Sequence, residues 1–412
     1  MRHLVTPLLR HSLMPMIVIA QIALACAIVC NALFLLQQRL TPILTPDGVS
    51  DPSRIVVAWQ VAAKARAWAP PRLLEVQSAL RSIPGVSATS VSGSMPMEAV
   101  VQMNGDVLAD GRSGGSVANA AMYVGNHLLD TLGLQVIAGR SFTADEEALQ
   151  YLDSGINSDG PAVITRALAD RLFPQGDALG KVIRIGTAPD AARRTVVGIV
   201  RHLMRNGLSQ DNRADIDYSM VFPGLPGNWP LPFFAVRAKP GAEPDQVRHA
   251  VKSVIERELG SGMVQGVARY DTYSELRDNM LSAPRAAVYL LAAVSTVVLV
   301  ITLAGVVGLT TYWVQQRTRQ IGVRRALGAR RFDILHWLLT ENALVASTGV
   351  ALGMLLAYSI NAWLMHHYEL ARLPASYLPY GAVVLLVLNQ LAVLWPAIRA
   401  SRVSPAVATR SI

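Results

Sequence analysis

Residue types able to do chemistry concentrate in one stretch of this sequence. From Gln316 to Asn342 it carries six arginines (Arg317, Arg319, Arg324, Arg325, Arg330, Arg331) against two acids, Asp333 and Glu341. Ile321, Arg324, Arg325 and Gly328 fall three to four residues apart, so they share one face of a short helix that Gly328 can stop. Guanidinium forks presented this way suit carboxylates on a partner surface, and Ile321, Ala326 and Leu327 add an apolar patch to bury. Other candidates fall away on their surroundings. Gly111-Arg112-Ser113-Gly114-Gly115 has the G-x-S-x-G spacing, but a nucleophile elbow needs a strand before it and a helix after it, and this sequence reads as a flexible loop. Asp145-Glu146-Glu147 could bind a cation, yet Thr143-Ala144-Asp145-Glu146 has capping-box spacing and reads as a helix start. His127 is isolated, and His366-His367 lacks metal-ligand company at a known spacing. Cys26 and Cys30 lie four apart with neither His nor acid nearby, and read as small apolar residues at a helix contact rather than a metal or redox pair. No G-x-x-x-x-G-K-[ST] occurs, so no ATP site of that type is expected here.

The arginine-rich stretch lies between two apolar runs, each long enough to cross a bilayer, which makes it cytoplasmic by the positive-inside rule. Four such runs are expected: residues 13–37, 284–314, 343–365 and 377–395. The first continues eleven residues beyond Ala23-Leu24-Ala25, so it reads as a retained span rather than a cleaved signal peptide. Both termini, 1–12 and 396–412, and the loop 315–342 then face the cytoplasm. The short loop 366–376 and the large region 38–283 lie outside. No Asp, Glu, Lys or Arg is expected in the interior of a span, which argues against a secondary transporter or an intramembrane protease. Gly349 and Gly353 form a GxxxG spacing that permits close helix approach. Gln21, Asn389 and Gln390 are expected to hydrogen-bond between helices.

Region 38–283 reads as α/β. Strands are predicted at Ile55–Trp59, Val86–Val91, Lys181–Ile185, Thr195–Val200, Phe233–Arg237 and Met263–Tyr270. Helices are predicted at Arg72–Ile83, Arg166–Phe173, Pro244–Leu259 and from Tyr273 onward. Hairpin turns are expected at Asn104-Gly105 and Asp110-Gly111. Residues 38–100 with 225–283 are expected to form one subdomain, and 101–224 an inserted second one. The fold class is therefore a four-helix membrane protein with a large α/β extracytoplasmic domain between helices 1 and 2.

Composition agrees with a protein that is part bilayer and part water-soluble: 52% of residues are hydrophobic and 16% charged. The net charge of +9 is confined to residues 1–13, 315–342 and 396–412, which hold eleven arginines and two acids; the rest is balanced. Excess basic charge beside membrane spans serves topology and anionic headgroups, and nucleic acid is not an expected partner.

These parts resemble the permease subunit of a MacB/FtsX-type ABC transporter. The segment Arg317-Thr318-Arg319-Gln320-Ile321-Gly322-Val323-Arg324-Arg325-Ala326-Leu327-Gly328-Ala329 is similar to the family's segment after its second span. Pro396-Ala397-Ile398-Arg399-Ala400-Ser401-Arg402-Val403-Ser404-Pro405 resembles its carboxyl-terminal signature. Leu132-Gly133-Leu134, Ala138-Gly139-Arg140-Ser141-Phe142 and Ala169-Asp170-Arg171-Leu172-Phe173-Pro174 resemble its periplasmic core. The resemblance implies an inner-membrane protein whose residues 319–329 dock as a coupling helix into a separate ATPase subunit. That subunit would carry the ATP and magnesium, with no cofactor on this chain. It further implies a dimer with a second permease copy or paralogue, a periplasmic adaptor and an outer-membrane channel. Hydrolysis would move the periplasmic domain by force transmission and expel a substrate from the periplasm or outer leaflet. The alternative is a regulator of the same architecture that passes ATPase state to an outside partner such as a cell-wall hydrolase. Gln320 stands where the family usually has Glu.

Overall fold

A computed structural model describes residues 13–98, 100–110, 117–151, 155–188, 190–207, 215–227, 229–368 and 377–402. The chain divides into two compact units, Thr41–Ala283 and the remainder (Met1–Leu40 with Pro284–Ile412).

The first helix, α1 (Leu13–Leu44), is apolar to Leu36 and continues through Pro42. It therefore runs past the span end expected at 37, because a helix already propagating adds one hydrogen bond per residue at little cost. In the α/β unit the chain then forms β1 (Ile55–Trp59), α2 (Pro70–Arg81), β2 (Val86–Ser92), β3 (Asn104–Ala109), β4 (Ala118–Asn126), α3 (Leu128–Leu132) and β5 (Val136–Gly139). There follow α4 (Ala144–Glu147), β6 (Gly160–Thr165), α5 (Arg166–Leu172), β7 (Val182–Ile185), β8 (Ala192–Val200) and β9 (Ser219–Phe222). The unit closes with β10 (Phe233–Ala238), α6 (Pro244–Leu259), β11 (Arg269–Thr272) and the start of α7 (Tyr273–Gln316).

Strands β11-β1-β10-β2 make an antiparallel sheet covered by α2 and α6 on one face. Both faces of its central strands are buried, so β1 is apolar throughout and β10 at every position but Arg237, whose guanidinium donates to the Thr131 and Ser50 carbonyls. Val56, Ala58, Phe234 and Val236 pack with Leu73, Val76, Val251 and Ile255 of the helices. Ile55, Val57, Phe233 and Ala235 face a second core with Tyr123, Leu132, Tyr273 and Leu276. The order then runs β4-β3-β7-β8-β6-β9, and β9 returns to pair with β4, so these six strands close on themselves around a third core. The pairs Val91↔Asn126 and Ser92↔Gly125 join the open sheet to the closed one.

Two expectations fail here. Asn104-Gly105 is not a turn: it opens β3, opposite Ala121 and Ala120. Its glycine answers to packing, since a Cβ there would stand 2.7 Å from Met122 Cε. Met263–Tyr270 is not one strand, because Gly266 (φ +78°) breaks it and leaves only β11 and an isolated bridge from Met263 to Ala63. The Gly111–Gly115 stretch lies outside the described residues. Thr143 and Glu146 do form the capping box at α4.

In the other unit, four helices among the described residues are long and apolar enough to cross a membrane: α1, α7, α9 (Arg331–Tyr368) and α10 (Tyr377–Ser401). A short helix, α8 (Thr318–Ala326), follows α7. Each long helix overruns the apolar stretch predicted for it, since helical hydrogen bonding does not stop where the hydrocarbon would. The overrun brings Arg331, Asp333 and Glu341 into α9, ahead of the apolar run 343–365, which itself holds no Asp, Glu, Lys or Arg.

The three other long helices each set glycine against α1. A Cβ on Gly305 would lie 2.7 Å from Gln21 Oε1, on Gly349 2.9 Å from Ile22 Cβ, on Gly353 2.7 Å from the Ala23 carbonyl, and on Gly381 2.5 Å from Cys30 Sγ. Close backbone approach of this kind is what holds helices together where lipid removes the hydrophobic drive. Gln21 Nε2 donates to the Ile301 and Thr302 carbonyls at 3.3 Å. Cys26 and Cys30 are fully buried at this seam. Asn389 departs from expectation: it is buried, yet among the described residues neither its Nδ2 nor its Oδ1 meets a hydrogen-bond partner.

Candidate functional site

The arginine-rich stretch is built around α8. Arg317 ends α7 by donating its N–H to the Trp313 carbonyl (3.2 Å), and its own carbonyl accepts the Ile321 N–H at 3.0 Å to open α8. Helix α8 stops in a Schellman arrangement, with Gly328 at φ +98° and the Ala329 N–H donating to the Arg324 carbonyl at 3.1 Å, as the sequence leads one to expect of a glycine there. Asp333 then starts α9 by accepting the Arg330 N–H at 2.9 Å.

Within α8 the inner and outer faces are distinct. Ile321 is 0% exposed and belongs to the core of the helical unit, and Gly322 is buried beside it. Ile321 therefore cannot serve a partner, which corrects the expected apolar patch. Arg319, Gln320, Val323, Arg324, Ala326, Leu327 and Gly328 are exposed, and Ala329 is half-buried. Leu327 is 83% exposed and Phe332, one residue into α9, is 72% exposed. The outward surface is thus basic at Arg319 and Arg324 and apolar at Val323, Leu327 and Phe332. Arg325 falls in α8 as well. Arg324 lies 4.3 Å over the Trp337 ring, a cation–π contact that fixes its direction without consuming its hydrogen-bond donors.

The carboxyl-terminal signature falls on the end of α10. Pro396 is buried within that helix, Arg399 stands 5.8 Å from the Trp395 ring, and Arg402 is exposed. Helices α8 and α10 touch, so both basic signatures border one region. Pro405 lies outside the described residues. Gly349 and Gly353 lie apart from this surface, on the α1 seam.

One interaction here was invisible in the sequence. Arg317 Nη1 donates to both carboxylate oxygens of Glu341, at 3.0 and 3.1 Å. Glu341 is 1% exposed, and the Trp313 ring lies 4.3 Å from the guanidinium. The only hint was an acid at the threshold of the third apolar run.

In the α/β unit, the acids beside Thr143 point different ways. Glu146 meets Arg140 through both carboxylate oxygens at 2.8 Å, and these bonds hold its carboxyl down near about 2. Glu147 turns inward and accepts the His127 N–H at 2.6 Å; burial pushes it up to about 7. His127 itself sits at φ +50° ahead of α3. Among the described residues no three His, Cys, Asp or Glu converge as a metal site.

Two family models match the chain: a MacB-like periplasmic core domain over residues 44–254 and an FtsX-like permease C-terminal domain over residues 292–405. The macrolide export ATP-binding/permease protein MacB of Chromobacterium violaceum is 29% identical over 240 residues, 58% of this chain and 34% of that protein. The ABC transporter permease YvrN of Bacillus subtilis is 26% identical over 298 residues, 70% of this chain and 69% of that one. The chain thus spans about a third of the length of the MacB relatives it matches. The periplasmic region of MacB from Actinobacillus actinomycetemcomitans covers 58% of this chain and 97% of its own at a TM-score of 0.37 and 10% identity, too distant a likeness to carry an argument.

Proposed function

The chain belongs to the MacB/FtsX-type family of ABC transporter permeases, and from that premise we propose that α8 is the coupling helix onto which a separate ATPase subunit docks. The observation that carries this reading is the division of α8 into a face anchored in its own helical unit and an outward face of arginines beside Val323 and Leu327. A partner cleft with acidic walls and an apolar floor would satisfy both features, and desolvated charge pairs with a buried apolar anchor are where binding energy concentrates. Gln320 is exposed on this surface, so its neutral amide removes one charge from the contact the family usually makes with Glu.

In this reading the ATP and magnesium sit on the partner, and this chain works as a dimer with a second copy or paralogue. Residues 41–283, inserted between the first two spans, lie in the periplasm, and both termini are cytoplasmic. Hydrolysis moves the helices, and α7, which begins in the α/β unit and ends at Arg317, carries the movement outward. The cargo is an apolar or amphipathic molecule taken from the periplasm or outer leaflet and passed to an adaptor and an outer-membrane channel. The large apolar side chains exposed on the spans, among them Leu290, Ile301, Leu355 and Leu391, favour transmission of force over a polar pore.

The test is co-purification of the chain in lipid with the ATPase encoded nearest to it. The double change Arg324→Glu with Leu327→Glu should abolish retention and permease-dependent hydrolysis while leaving the thermal midpoint of the chain unchanged. Full retention by the double variant would remove α8 as the docking element.

A further inference from the structure

Arg317 occupies a junction of three helices. Its N–H closes α7, its carbonyl opens α8, and its guanidinium grips Glu341 of α9 through both carboxylate oxygens. The covalent links on either side of α8 are weak constraints by themselves. On one side a single residue separates α7 from α8. On the other stands Gly328, at φ +98° with nothing within 4 Å of where its Cβ would be. Further contacts hold α8: the burial of Ile321 with Gly322, the touch against α10 and the stacking of Arg324 on Trp337. None ties the helix to one point as an ion pair does, because apolar and cation–π contacts tolerate sliding, whereas Arg317 Nη1 is held by both oxygens of one carboxylate that is itself closed to water.

We propose that Arg317 and Glu341 are positioning residues: their buried ion pair is the joint that makes α8 move as one body with the adjoining ends of α7 and α9. This rests on the reading of α8 as the docking helix. The joint explains why a charge pair is kept where burial makes it expensive. Well-packed apolar residues of similar volume can stabilise such a site as well or better, while loss of one partner leaves an unpaired buried charge. Stability alone would not call for the pair; a fixed geometry would.

The experiment compares the full-length chain in lipid nanodiscs with Arg317→Met/Glu341→Leu, which removes the tie without stranding a charge, and with Glu341→Gln, which keeps the shape. Spin labels at Ala326 on α8 and Val300 on α7, in chain without the ATPase and diluted with unlabelled chain, report the spacing of the two helices; retention and hydrolysis are read on unlabelled chain. Wild type should give one narrow distance distribution, and the apolar pair a broadened or shifted one at an unchanged thermal midpoint. With the ATPase present, the apolar pair should retain it, yet lose permease-dependent hydrolysis by about fivefold or more, the low end of a coupling energy between sites. Glu341→Gln should fall between the two. A narrow distribution and undiminished hydrolysis in the apolar pair would overturn the joint. So would lost ATPase retention with an unaltered distribution, because the pair would then act in docking itself. If wild type retains no ATPase, it is the docking reading that fails, and the label distances alone decide whether the joint exists.

Discussion

Glu147 should make the α/β unit less stable as pH rises, and removing its charge should reverse this. The carboxyl is 8% exposed and accepts one hydrogen bond, from the His127 N–H. Burial, with Asp130 and Glu146 nearby, lifts it from an ordinary 4.5 to about 7. The folded state therefore holds this proton more tightly than the unfolded chain does. Its contribution is present in full below about pH 4.5 and is lost as pH climbs through about 7. The cost of ionising it in place comes to about 3 kcal/mol at most by pH 8. Glu147→Gln keeps an acceptor for His127 and has no charge to bury. It should match wild type near pH 4.5 and exceed it above pH 7.5, by roughly 5–10 °C in thermal midpoint for a unit of this size. Tryptophan fluorescence during thermal unfolding of the solubilised full chain, followed across that pH range, reads the difference. Subtracting the variant cancels the other titrating groups, including Asp217, whose carboxyl burial also raises. Curves that stay parallel across the range would refute the assignment.

The helical unit offers two further tests. Gly353→Leu places a side chain where even a Cβ would sit 2.7 Å from the Ala23 carbonyl, so it should cost about 1–3 kcal/mol or more by overpacking, seen as a lower midpoint in detergent. An unshifted midpoint would mean that α1 and α9 are not packed as described. Asn389→Leu, in contrast, removes a buried amide with no partner at either end. It should be neutral or stabilising, because the variant no longer buries unsatisfied polar atoms. A loss above about 1 kcal/mol would reveal a partner for Asn389, since loss of a hydrogen bond is of that size.

Much of the α/β unit was legible because its signals are local. The helix Pro244–Leu259 and the strand Ile55–Trp59 stand where periodicity placed them, and Thr143 and Glu146 form the cap their spacing implies. Strands β3, β4, β5, β6 and β9 do not show in the sequence pattern. The closed sheet buries them by pairing with strands far away in the chain, so an alternating pattern is not required of each alone. Asn104-Gly105 misled because a glycine that yields to Met122 across the sheet has the same one-letter signature as a glycine that turns.

The sequence by itself determined the four membrane helices, the position of the basic segment between two of them and the stop at Gly328, because each depends on runs of neighbouring residues. Only the tertiary structure decided where the segment's side chains go. It sent Ile321 inward and Leu327 outward and gathered glycines from three helices around α1. It also brought Glu341 across to Arg317. Those outcomes depend on which helix lies beside which, and a charge's partner beyond a chain reversal leaves no mark in the spacing of residues.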